Sequence, residues 1–276
     1  MKIKIIRGAF LNPFELQNYY PLKEKFDIEV ISSQRPLSDK IDLPLHKVIS
    51  GADIVHVAEN YFGYVRQAIR AKRRGLVKKV ISTIWETIPF NNQSLSGRRK
   101  NKLYAKENID HFIAITQKAK ASLLKEGVKE EKITVIPMGV DLDKFKPRPN
   151  KKNKRDVNIL CVARLVTEKG ITDLIDTFWE LKKDCKNLNL TIIGSGPLKK
   201  EISGFKNIYV KNVPYNKIYL EYANADIFCL PSRATSTWEE QFGMCLVEAM
   251  ASGIPIVSTK TGAIPEVCGE VALLVK

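Results

Sequence analysis

The chain has 276 residues, 44% of them hydrophobic and 27% charged, with a formal net charge of +15. That length gives room for two ordinary domains, each with its own core. No apolar run approaches the roughly eighteen residues of a membrane span, and the apolar stretch after the basic start is too short for a signal-peptide core, so a cytoplasmic protein is expected.

The charge is unevenly placed. Residues 1–150 carry 28 Lys and Arg against 16 Asp and Glu, whereas the remainder carries 17 against 14. Such asymmetry calls for an anionic partner of the first half, and nucleic acid and anionic lipid headgroups both qualify. The cysteines (Cys161, Cys185, Cys229, Cys245, Cys268) form no Cys-x-x-Cys pair, and His46, His56 and His111 are far apart in the sequence. Structural thiols are expected, with neither a disulfide framework nor a metal site.

In chain order, Lys2–Ile6 predicts a short buried strand, followed by a turn at Gly8. In an α/β half this first strand-to-helix loop faces the ligand, and Gly8 would let the backbone approach a phosphate. The full G-x-G-x-x-G fingerprint is absent, which counts against an NAD enzyme. Lys25–Ser32 and Ala52–Val57 predict two more strands. His56 and Glu59 lie near the carboxyl end of the second, where ligands of open α/β sheets collect, and His56 is an acceptor-side candidate. Tyr61–Arg74 predicts a helix carrying Arg66, Arg70, Lys72, Arg73 and Arg74, and a second basic cluster follows at Arg98, Arg99, Lys100 and Lys102. Val80–Ile84 predicts a strand running into Trp85-Glu86. The strand His111–Thr116, a helix over 118–126 and a strand in KITVIPMG complete the first half. Residues 147–156, PRPNKKNKRD, lack apolar periodicity. They predict a linker at 149–156 between domains spanning 1–148 and 157–276.

The second half alternates strand and helix again. Val157–Val162 predicts a strand and Ile171–Leu181 a helix, with Arg164 and Lys169 on the connection between them. Leu188–Ile193 leads into GSGPL, where Gly194 and Gly196 permit close backbone approach. Ile208–Val213 predicts an edge strand, and Ala225–Ser232 a buried strand that runs into the loop before Glu240. From Phe242 to Ala251 almost every residue is apolar or small and Glu248 is the only charge, which predicts a buried helix stopped by Gly253-Ile254-Pro255. A carboxylate there needs a partner. Gly243 marks the turn into the helix, whose first N–H groups suit a phosphate. The stretch therefore offers an anion cradle flanked by Glu240 and Glu248. The competing reading is a core helix with a solvated Glu248 at its edge.

The spacing Glu240-x7-Glu248 within EQFGMCLVEAMASGIPIVST, the pair Arg164 and Lys169, and the segment IPMGVDLDKFKP resemble retaining glycosyltransferases of family 4. The resemblance implies the α/β GT-B fold, two Rossmann-like parallel-sheet domains facing across a cleft. Members usually continue with several C-terminal helices, so by this resemblance the second domain is expected to be truncated here, either because the sequence is a fragment or because the domain ends early. It implies that Glu240 binds sugar hydroxyls and orients the ring, and that Arg164 and Lys169 neutralise the donor diphosphate. Glu248 would hold the ribose, and the backbone of Phe242, Gly243 and Met244 would meet the phosphates. Gly8, Gly194 and the strand edge ending at Val213 would complete the donor side. Many relatives have a histidine where this chain has Trp85-Glu86, which leaves Glu86 as an acceptor-facing group.

The implied reaction moves a hexose from a UDP- or GDP-linked sugar to a saccharide or lipid-linked saccharide, with no metal or cofactor required. The resemblance also suggests that Arg66, Arg70, Arg73 and Arg74 rest on the inner face of an anionic membrane. Two other readings stay open. A basic nucleic-acid-binding protein rests on net charge alone, because no helix-turn-helix, zinc or RNA-sheet signature accompanies it. A relative that binds nucleotide without turnover would keep the donor residues.

Overall fold

The computed structural model describes residues 1–7, 13–32, 45–93, 96–147 and 156–276. The chain divides into two compact units, Met1–Gly139 and Val140–Lys276. Gly8, residue 148 and residues 149–155 of the expected linker lie outside the described residues.

The first unit is a six-stranded, wholly parallel sheet of β1 (Lys2–Arg7), β2 (Asp27–Ser32), β3 (Ala52–Ala58), β4 (Val77–Ile84), β5 (His111–Ala114) and β6 (Ile133–Val135), in the order β2-β1-β3-β4-β5-β6. The helices α1 (Pro13–Leu16), α2 (Leu45–Ile49), α3 (Gly63–Arg73), α4 (Ser96–Asn108) and α5 (Gln117–Lys125) connect the strands. Helix α3 forms because Tyr64, Val65, Ala68 and Ile69 recur at helical spacing, and all four are buried. Each fully buried side chain of Val or Ile size contributes roughly 1.5–3 kcal/mol. Helix α5 starts where the Thr116 hydroxyl accepts from the Ala119 N–H at 3.0 Å, satisfying one of the unpaired N–H groups of the first turn.

The second unit repeats the plan with β7 (Val157–Val162), β8 (Leu188–Ile193), β9 (Ile208–Lys211), β10 (Ile227–Leu230), β11 (Ile256–Thr259) and β12 (Ala272–Val275), ordered β12-β11-β10-β7-β8-β9 and all parallel. Its helices are α6 (Ile171–Asp184), α7 (Lys199–Ile202), α8 (Tyr219–Tyr222), α9 (Met244–Ala251) and α10 (Ile264–Cys268). Two apolar clusters hold it, one centred on Ile171, Leu174 and Phe178 of α6, the other on Tyr222, Phe228 and Leu246. Residues 140–147 belong to this unit and not to the first. Phe145 is buried in its core, 5.5 Å from Tyr222 between ring centroids. The division therefore falls at Gly139/Val140, ahead of the boundary at 148 expected from the sequence.

Both sheets reverse their winding once. In the first, β1 lies between β2 and β3; in the second, β7 lies between β8 and β10. Loops diverge at the carboxyl ends of such a pair, and the crevice left there is where open α/β sheets take ligands. Among the described residues no helix is long and apolar enough to cross a membrane.

Candidate functional site

In the second unit the reversal point is set by β7 and β10, paired through Ile159 with Ile227 and Leu160 with Phe228. The chain leaving β7 carries Lys169 in a single 3-10 turn, and the chain leaving β10 carries Glu240. The two side chains meet. Lys169 Nζ lies 2.5 Å from Glu240 Oε2, and the Ser232 hydroxyl donates to the same oxygen at 2.9 Å. Both charged side chains are nearly enclosed, at 12% and 9% exposure, and Lys169 Nζ sits 4.8 Å from the centroid of the Trp238 ring. A buried carboxylate needs charge and hydrogen bonds around it, and here it has both. A second bridge joins the two loops, from the Arg233 N–H to the Glu168 carbonyl at 2.8 Å.

The backbone of Glu240 is fixed from behind. Its carbonyl accepts from the Ala263 N–H at 2.8 Å. Gly262 has φ +57°, and a Cβ there would stand 2.0 Å from the Glu240 carbonyl oxygen. Only glycine allows this approach, so the loop after β11 presses directly on the residue that carries the carboxylate. Gly243, at φ +77°, turns the chain into α9 and its carbonyl takes the Leu246 N–H at 2.8 Å, while the N–H groups of Met244 and Cys245 precede the helical ladder.

Glu248 lies on α9 at 3% exposure, which overturns the reading of a solvated edge residue. The Tyr222 hydroxyl donates to its Oε2 at 2.7 Å. Burial pushes its carboxyl up to about 7, against the opposing effect of hydrogen bonds from Tyr222 and Tyr215. Nothing in the spacing of Tyr215 and Tyr222 announces this partnership. Ser232 and Trp238 were likewise not singled out from the sequence, although both fall in the loop that the sequence marks.

The remaining donor-side candidates are more dispersed. Arg164 is exposed and, among the described residues, pairs only with Glu168, at 3.4 Å, away from the Lys169–Glu240 pair. Phe242 and Met244 have buried side chains, so what they can offer a ligand is backbone. A Cβ at Gly194 would lie 1.8 Å from the Ala163 carbonyl oxygen, so this glycine serves close packing of the loops after β7 and β8. Val213 packs against the core cluster that contains Tyr222.

In the first unit, His56 is buried on β3. Its Nε2 lies 2.7 Å from the Thr83 hydroxyl and its Nδ1 3.2 Å from the Tyr19 hydroxyl. Burial, with Arg7 nearby, holds the ring well below the ordinary histidine range, so it is neutral. Arg7 at the end of β1 reaches Glu15 at 3.2 Å and also donates to Tyr19. These residues form one enclosed polar network at the carboxyl ends of β1, β3 and β4.

Glu86 is 4% exposed, and its oxygens accept from the Ile88 N–H at 3.2 Å and the amides of Asn91 and Asn92 at 3.2 and 2.8 Å. The carboxylate is thus engaged by its own loop. The second basic cluster is also split. Lys102 is buried against Glu126 at 2.6 Å, and Arg98 donates to Asn92 while lying over Tyr61. Arg66, Arg70, Arg73 and Arg74 instead line a surface depression together with Tyr104. Among the described residues no group of three or more His, Cys, Asp or Glu is placed to hold a metal ion.

Comparison with known proteins accords with this geometry. Residues 143–275 match the family model described as glycosyl transferases group 1, and residues 26–144 match that of glycosyltransferase family 4. WcaL of Escherichia coli strain K12, named for colanic acid biosynthesis, is 29% identical over 218 residues, covering 72% of this chain and 52% of its own. AmsK of Erwinia amylovora, named an amylovoran biosynthesis glycosyltransferase, is 27% identical over 277 residues, covering 95% of this chain and 64% of its own. The chain thus spans between half and two thirds of the length of these relatives. The crystal structure of Anabaena Alr3699/HepE in complex with UDP and glucose superposes with a TM-score of 0.78 at 17% identity, over 100% of this chain and 86% of that one. The fold is GT-B, as two parallel six-stranded α/β units suggested. With the two family models together covering nearly its whole length, the chain belongs to glycosyltransferase family 4.

Proposed function

We propose that the chain is a retaining glycosyltransferase that moves a hexose from a UDP- or GDP-linked sugar to a saccharide or lipid-linked saccharide in glycan biosynthesis. The observation that carries this reading is the Lys169–Glu240 pair at the reversal point of the second sheet, beside the left-handed entry into α9. A cation there offsets the charge that grows on a departing nucleotide diphosphate, and the N-terminus of α9 adds backbone donors. Arg164, exposed on the same loop, would swing onto the diphosphate. Glu240, held by Lys169 and Ser232, would take sugar hydroxyls and orient the ring. Glu248 would bind the ribose diol, which would share the carboxyl with Tyr222.

The C1–O bond to the diphosphate breaks, the acceptor oxygen bonds to C1 on the same face, and the acceptor proton passes to the departing phosphate. No metal or cofactor enters this scheme. Hydrolysis by a carboxyl pair would need both groups to flank one bond, whereas Glu248 is committed to Tyr222 and Glu240 to Lys169. On the acceptor side His56 is a neutral hydrogen-bonding group, and Glu86 acts by shaping the loop after β4. The basic face of the first unit would rest on the inner surface of an anionic membrane, each basic residue near the surface contributing about 1 kcal/mol.

The test is thermal stability with UDP, GDP, ADP and their sugar conjugates, on the parent and on Lys169→Gln. The Anabaena HepE complex makes UDP-glucose the first conjugate to try. A ligand bound only by the folded state raises the melting temperature. One nucleotide stabilising the parent and much less the variant is the expected result. No shift with any nucleotide, repeated on a chain extended to the length of the relatives, would overturn the reading. Product analysis by NMR then fixes whether the anomeric configuration is retained, and assay with a chelator decides metal independence.

A further inference from the structure

Helices α3 and α4 of the first unit, we propose, build a discrete phosphate-binding cage from Arg66, Arg70, Arg73, Arg74 and Tyr104. Among the described residues these five line the depression. Two of the guanidinium groups are held in place by the tyrosine. Arg66 lies 5.3 Å from the centroid of the Tyr104 ring, and Arg73 donates to the Tyr104 hydroxyl at 3.2 Å.

Among the described residues no carboxylate pairs with any of the four arginines, whereas Lys72 on the same helix reaches Asp110 at 2.5 Å. Helix polarity accounts for only part of the cluster. Exposed carbonyls at the end of α3 favour cations at Arg70, Arg73 and Arg74. Arg66 is in the opening stretch of α3 (Gly63–Arg73), where a cation is disfavoured. Its Nε is moreover buried without a hydrogen-bond partner among the described residues. A buried, partnerless guanidinium N–H beside three like charges is costly unless an anion completes it.

The anion that fits is a phosphate. Planar guanidinium forks match its oxygens in pairs, and a monoester brings nearly two negative charges to one point. The cage is narrower than a charged face, because it needs fork geometry and not net charge alone. It sharpens the membrane contact proposed above but stands independently of the donor site, since every residue in it belongs to the first unit. The phosphate would come either from a phosphomonoester lipid headgroup or from a soluble phosphate compound.

The experiment compares sedimentation with phosphatidylcholine vesicles carrying phosphatidate and with vesicles carrying phosphatidylglycerol, at matched surface charge, for the parent and for R70K/R73K. The exposed positions of Arg70 and Arg73 keep the variant folded. We expect about a tenfold preference for phosphatidate in the parent, the scale of one charge-assisted hydrogen bond. The variant should lose that preference and keep the weaker binding to phosphatidylglycerol.

A parallel arm measures binding of inorganic pyrophosphate to the parent, to R70K/R73K and to Lys169→Gln. Pyrophosphate binding that disappears only in R70K/R73K, without a vesicle preference, supports the cage with a soluble ligand. Equal binding to both vesicles, with pyrophosphate binding unchanged by R70K/R73K, overturns the cage and leaves a diffuse basic surface. Nucleotide-induced stabilisation should be the same in R70K/R73K as in the parent, so failure of the cage and failure of the donor reading are separable.

Discussion

Lys169 Nζ and Glu240 Oε2 stand 2.5 Å apart although the two residues are 71 positions apart in the chain, and both side chains are almost closed to water. The Arg233–Asp173 pair has the same 2.5 Å separation, but its side chains are 61% and 34% exposed. Distance alone does not rank these interactions. Removing one member of a buried pair strands the other charge, whereas an exposed pair is already screened by water.

Lys169→Ala should therefore lower stability by about 3 kcal/mol, the lower end of what breaking a buried pair costs. Asp173→Ala should cost less than about 1 kcal/mol. Denaturant unfolding of both variants checks the contrast. The double change Lys169→Met with Glu240→Gln should recover part of the loss, because it leaves no lone charge behind. Equal losses for Lys169→Ala and Asp173→Ala would show that the pair is not enclosed in solution.

Gly262→Ala should perturb the site without touching any proposed ligand group. The added methyl would have to displace the Glu240 carbonyl, 2.0 Å away, and the φ of +57° adds strain of its own. Gly51→Ala is the control, because its φ is +75° but nothing lies within 4 Å of the new methyl. It should cost about 1 kcal/mol from backbone strain. Gly262→Ala should cost clearly more and should also weaken nucleotide binding, which calorimetry on the two variants would measure.

Folding lifts the Glu248 carboxyl from 4.5 to about 7 and that of Glu59 from 4.5 to about 8, in both cases mainly by burial. Between those values the folded chain keeps protons that the unfolded chain has released. The contribution of these two carboxyls to stability thus falls as pH rises from 4.5 to 8 and is fully present only below 4.5. Glu248→Gln should remove up to about 3 kcal/mol of that decline, all of it below pH 7. The slope between pH 7 and 8 belongs to Glu59 and should survive. Urea midpoints at half-unit pH steps test this, and an unchanged curve in Glu248→Gln would refute it.

His56 should show the opposite sign. Its folded pKa is depressed, so below about 6.5 the unfolded chain takes up a proton that the folded ring refuses. That contribution to stability is present above pH 6.5 and is lost as the pH falls. The ring protons of His56 should accordingly titrate well below the ordinary histidine range by NMR. A midpoint at or above the ordinary value of about 6.5 would mean that the network with Tyr19, Thr83 and Arg7 opens in solution.

The strands and the two-unit plan were legible because apolar runs such as Val157–Val162 and Leu188–Ile193 carry their own signal. Lys169 and Glu240 were legible as candidates for one site through their family pattern, but their pairing was not. A contact across 71 residues depends on which strands become neighbours. Lys102 shows the opposite difficulty: it follows Arg98-Arg99-Lys100 and continues a basic run in the sequence. On α4, however, it turns inward, to 4% side-chain exposure against Glu126. Charge composition cannot report which side of a helix a lysine takes. Glu86 was visible as a carboxylate at a strand end, but not the amides of Asn91 and Asn92 that fold back onto it.

The placement of β10 beside β7 governs the order in which the second unit can assemble. Strands β8 and β9 can add to β7 in sequence, but the other edge of β7 must wait for Ile227 and Phe228, more than sixty residues further along the chain. Until they arrive, β7 presents bare N–H and carbonyl groups to any other extended chain. Closure of the central β7–β10 pair should therefore be the slow event in refolding. Destabilised variants of Phe228 should accumulate as a half-sheet intermediate that self-associates, and do so more readily at higher protein concentration.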